Sequence, residues 1–114
     1  MAKQAEAHRA AALFTLEQAM RQAERYHDSA NPNMRILSQK VRKVAEFEEE
    51  LRSRHLEYCE KANIDFNDEE AKGFIEPACD KAIDCIDLCM LMIHDSEADA
   101  ESKEINQQGR QGAE

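Results

Sequence analysis

Three pairs of side chains in this sequence have the types and spacing to do chemistry together: His55 with Cys59, Cys85 with Cys89, and Glu24 with His27. The first two pairs are four residues apart, which on a helix puts both members on one face and offers metal-ligand chemistry. Level along the helices decides whether they can share an ion. If the two helices form an antiparallel pair that turns near residue 66, residue i faces about residue 132 minus i, which brings His55 and Cys59 near Cys79 and leaves Cys85 about 12 Å further along. Four ligands cannot then converge. His55, Cys59 and Cys79 remain as candidates for a three-ligand site, and buried thiols beside a core histidine are the favoured reading, with no cofactor implied.

Glu24-x-x-His27 matches half of a carboxylate-bridged di-iron motif, but the sequence holds no second copy. His27 reads better as a core or turn residue that hydrogen-bonds the end of its helix. Glu76, Asp80, Asp84 and Asp87 fall on one helix face like paired catalytic carboxylates. They lie away from the core with nothing apolar to raise a pKa, as on a solvated face. Cys89 has no basic neighbour at helical spacing to activate it. No catalytic residue is assigned, and the protein is expected to be non-enzymatic.

The elements that would position these residues are helices. With three Gly, two Pro and 34% charged residues, and with strand formers that never alternate, the composition is all-α. A first helix is expected over about 2–29, its stripe being Leu13, Leu16, Met20, Ala23 and His27. Phe14 falls off that stripe as an exposed contact. Asn31 as cap and Pro32 in the first turn predict a second helix over 32–63, with a near-heptad stripe running from Met34 through Leu37, Val41, Val44 and Leu51 to His55 and Tyr58. Asn67 with Glu70 reads as a capping box opening a third helix over 68–95, kinked or broken at Pro77. Residues 96–114 are polar, acidic and aperiodic, a frayed or disordered tail. Short turns make the helices antiparallel neighbours. The expected architecture is one domain over 1–95, an antiparallel three-helix bundle or three-helix coiled coil.

Charge narrows the partners. Residues 64–114 carry four basic and fourteen acidic groups, and the whole chain has a net charge of -9. That balance argues against nucleic acid and against an anionic membrane surface. Lys40, Arg42 and Lys43 are followed by Glu46 and Glu48 to Glu50 and predict a helix face laced with ion pairs. No run is long enough to span a bilayer, and the start of the chain has no apolar signal-peptide core. A cytoplasmic protein with four reduced cysteines is expected.

On a helical projection the third helix has an apolar arc of roughly 220°, wider than one helix of a three-helix bundle buries. Leu88, Leu91, Met92 and Ile93 would therefore form a docking surface for a protein partner or a second copy, and a homo-oligomer is expected.

From Ile36 to about Cys89 the succession of a charged amphipathic helix, VRKVAEFEEELRSRHLEYCEKA, an acidic turn, IDFNDEEAK, and a third helix resembles the helical N-terminal region of Gag-like polyproteins from Pao/BEL-type retroelements. The resemblance rests on helical spacing, Phe47, His55 and the acidic turn. It implies a self-associating, capsid-related scaffold with no catalytic residues. The residues themselves lead to a helical interaction module. The alternative is a helical carrier or sensor, holding a metal or a small apolar ligand between helices lined by Met20, Met90, Met92 and the cysteines.

Overall fold

The computed structural model describes residues 2–65 and 67–113, with side chains as far as residue 97. It contains three helices: α1 (Ala2–His27), α2 (Met34–Ala62) and α3 (Glu69–Ala113). All three pack on one another as an all-α three-helix bundle. The expected tail over 96–114 lies, from residue 98 onward, outside the residues whose side chains are described.

The turns follow from local hydrogen bonding and correct two expected caps. Asn33 opens α2, and Asn31 does not: the Asn33 side chain accepts the amides of Arg35 at 2.9 Å and Ile36 at 3.3 Å. The Asn33 amide itself donates to the Tyr26 hydroxyl at 2.9 Å, tying the turn back to α1. Asn63 ends α2 with a left-handed backbone, φ 55°, and the Ile64 amide folds back to the Cys59 carbonyl at 2.9 Å. Asn tolerates that conformation better than most side chains, so this stop is written in the sequence. At α3 the cap is Asp68, not Asn67, because its carboxylate accepts the amides of Glu70 and Ala71. Position three past that cap is Ala71, so no reciprocal capping box forms.

Pro77 lies inside an uninterrupted α3, so the helix does not break there. Proline removes one backbone bond, to the Gly73 carbonyl. Gly73 and Pro77 are both exposed, and water can take that acceptor.

The core is unevenly built. α2 contributes Leu37, Val41, Val44 and Leu51, and α1 contributes Leu16 and Met20 among alanines. Among its described residues α3 buries mostly small side chains, Ala71, Ala78, Cys79, Ala82, Cys85 and Cys89, together with Ile93. Small side chains let α3 lie close to its neighbours. Phe74, Ile86, Met90 and Met92 are partly buried against the core, and Ile83, Leu88 and Leu91 are left exposed.

The ion pairs of α2 also fall elsewhere than expected. Glu48–Arg52, Glu50–Arg54, Arg54–Glu57 and Glu57–Lys61 run along its second half. Lys40, Arg42 and Lys43 have no carboxylate partner among the described residues, and Lys40 sits over the Tyr26 ring instead. Such solvent-exposed pairs contribute little to stability.

Candidate functional site

Two places in the bundle combine polar or reactive groups with a cavity or a buried seam. The first is where α1 begins, α2 ends and α3 begins. Here His55 is 1% exposed and stacks on Phe74, ring centroids 5.9 Å apart. The Arg9 guanidinium lies between two rings, 3.8 Å from the centroids of both Tyr58 and Phe74. Each such contact favours a cation on a ring face. Arg9 Nη1 lies 3.3 Å from His55 Nδ1. A guanidinium can only donate, so Nδ1 accepts and the imidazole is neutral with its proton on Nε2. That proton points at Cys59 Sγ, 3.7 Å away.

The seam is electrostatically consistent. Burial, and then the Arg9 charge, hold His55 below the ordinary histidine pKa. Burial pushes the Cys59 thiol up, with Arg9 opposing and Asp68 adding to the rise. A Cys–His pair is the usual nucleophile and base, but here Nε2, the nitrogen facing the sulfur, already carries its proton and cannot take one from the thiol. Burial keeps substrate from both side chains, and a cation on Nδ1 opposes protonation of the base. Arg9 is the residue that sequence reasoning missed. Its only signal was its position, one helical turn before Leu13 on the edge of the α1 stripe.

The three metal candidates are not brought together. His55 and Cys59 meet, while Cys79 lies lower on the bundle beside Glu48 and Arg52, its thiol pushed up mainly by burial. Among the described residues no three His, Cys, Asp or Glu side chains form a group able to hold a metal ion. His27 pairs with the adjacent Asp28, Nδ1 to Oδ1 at 3.0 Å. Cys85 and Cys89 are buried, free thiols, and Cys85 Sγ lies 3.8 Å from the Met20 carbonyl. Burial first, and then Cys89, push the Cys85 thiol up to about 12.

The second place is the groove between α1 and α3, about 560 Å³ in volume. Its floor is Leu13, Met20, Phe74, Ala78 and Cys85, with Leu88 at one end. Glu17, Arg21 and Glu24 form the α1 wall, Lys81 and Asp84 the α3 wall. Of the residues expected at an interface, Leu88 is 45% exposed and Leu91 is 61% exposed. Leu91 is one helical turn past Leu88, beside the groove's end. Met92 is half-buried against the core. Ile93 was expected on this surface and is instead a core residue, 5% exposed, because it shares the buried face with Cys89 and Ala82. Phe14 is 59% exposed on α1 and does not line the groove.

Fold and groove together define a small three-helix bundle with an open seam between α1 and α3; smaller grooves of about 520 and 390 Å³ also run between α1 and α2. Comparison of the chain with protein families, curated proteins and solved structures finds no match. No helix among the described residues is long and apolar enough to cross a membrane.

Proposed function

We propose that this protein is a non-enzymatic helical interaction module, which docks a partner helix against the α1–α3 groove and the adjoining Leu88 and Leu91. The observation that carries this reading is the inversion on α3. Its most buried positions are mainly Ala and Cys with Ile93, while Leu88 and Leu91 stand outside. Burying the exposed half or so of each leucine in a partner is worth about half of the roughly 1.5–3 kcal/mol of a full transfer. A fourth helix laid in the seam would complete a four-helix arrangement, a natural way to cover an apolar face left by three. Self-assembly, the form implied by the resemblance to Gag-like regions, is one version of this reading.

The test is solution mass by light scattering under reducing conditions over a range of concentrations, together with titration of helical peptides. Association, with itself or with a peptide, is expected and should be lost in Leu88→Ser/Leu91→Ser. Association that survives the double substitution, or none of either kind, removes the proposal.

A second reading is favoured by the groove's size. Its volume of about 560 Å³ lies within the roughly 300–1,000 Å³ of small-molecule sites. A carrier of small apolar ligands would bind a solvatochromic dye on Met20 and Phe74 even when Leu88 and Leu91 are serine. Loss of dye binding in that variant would leave the docking surface as the better account.

A further inference from the structure

Resting on the docking reading above, we infer that the partner is a basic amphipathic helix from another protein: an apolar stripe for the groove, flanked by Lys or Arg. The argument is the charge on the groove's walls. Glu17 and Glu24 line it from α1 and Asp84 from α3, and only Arg21 and Lys81 oppose them. Asp80 and Asp87 extend the acidic edge along α3, and Asp84 and Asp87 stand one turn before Leu88 and Leu91.

Among the described residues none of these carboxylates is held in an ion pair, whereas Glu48, Glu50 and Glu57 of α2 are. They are available to an incoming cation. The Glu24 charge is felt at Cys85 on the groove floor and at Cys89 behind it, where it adds to the upward shift that burial gives both thiols. A second copy fits this surface less well. In a two-fold pairing of grooves only Arg21 and Lys81 of each copy could answer Glu17, Glu24 and Asp84 of the other, which leaves a carboxylate over on each side. A cationic helix gains from the same residues and is steered toward them.

The probes are two fluorescein-labelled synthetic helices of about 18 residues, with leucines on one stripe. One carries Lys at every other position and the other Glu. Fluorescence anisotropy against the full chain is expected to show binding of the Lys peptide and at least tenfold weaker binding of the Glu peptide. Binding of the Lys peptide should weaken as salt rises from about 50 to 300 mM, because the wall charges are solvent-exposed.

Leu88→Ser/Leu91→Ser keeps every charge and should weaken the Lys peptide at least tenfold, with unchanged helical circular dichroism since both leucines are exposed. If that variant binds as well as wild type, the attraction is charge alone and the inference fails. Equal binding of the Glu peptide also overturns it. Self-association through Leu88 and Leu91 that the Lys peptide cannot displace would make a second copy the occupant, overturning the basic partner while the docking module stands. Neither peptide binding and no self-association would remove the docking module itself.

Discussion

The two ends of the bundle solve the same packing problem in opposite ways. At the end holding His55, the gap between helices is filled from within by a guanidinium between two rings, and α1, α2 and α3 each contribute to the plug. At the end holding Leu88, α3 presents Ala82, Cys85 and Cys89 inward and leaves its leucines outside. The first end is closed on itself. The second takes in Ile93 and leaves Leu88 and Leu91 out. A closed end should govern stability, and an open end should govern association with little effect on stability.

Arg9→Ala should give the largest effect. It removes two cation–ring contacts and the donor to His55, a loss of about 2–3 kcal/mol in chemical denaturation. Arg9→Lys should recover little of it, because an ammonium cannot stack flat between Tyr58 and Phe74. A loss under about 0.5 kcal/mol, the scale of an ordinary surface change, would break the comparison.

Acid should strike the same end. The folded pKa of His55 is lowered relative to 6.5 by burial and then by Arg9. The folded state therefore holds fewer protons than the unfolded chain, and the stability this group contributes is complete above about pH 6.5 and falls as pH drops through that value toward the folded pKa. The groups facing it include Arg9 from α1, Cys59 from α2 and Phe74 from α3, with Asp68 near Cys59. Denaturation midpoints should fall between pH 7 and 5 in the wild type and fall less in His55→Gln. Equal slopes would assign the acid sensitivity to the carboxylates.

Much of this architecture was legible in the sequence, and what was not has definite physical causes. The α2 stripe, the small residues on α3 and the exposure of Leu88 and Leu91 follow from periodicity, which is a property of one helix at a time. The metal candidates failed on level: pairing of His55 with Phe74 places Cys79 beside Arg52, about a turn from the histidine. Arg9 was invisible because its role depends on rings supplied by two other helices. The cap at Asp68 won over Asn67 because its carboxylate takes two amides, while Asn67 spends its own amide on Asp65. Ile93 differs from Leu91 only by its angle around α3.

The thiols sharpen the comparison at smaller scale. Cys85→Ala or Cys89→Ala removes one buried sulfur each and should cost about 1 kcal/mol. Their reaction with a thiol reagent should be slow in the native state and should track opening of the bundle, because burial withholds the thiolate as well as access. Rapid native labelling of Cys85 would mean that α3 separates from α1 readily and that the open end is also a loose one.

The smallest effect on stability should come from the residues that matter most for association. Leu91 is 61% exposed, and Leu91→Ser forfeits little packing, so its stability should stay within about 0.5 kcal/mol of wild type. Leu88 touches the groove and should cost slightly more. The informative quantity is the ratio between the two ends. Arg9→Ala lowers stability and should change peptide affinity less than Leu91→Ser under conditions where the protein is fully folded, because Arg9 meets the groove only through Phe74. Leu91→Ser should do the reverse. If Leu91→Ser destabilises the isolated chain as much as Arg9→Ala, the leucine is packed within the molecule in solution, and the open end is open only in the absence of a contact the bundle can make for itself.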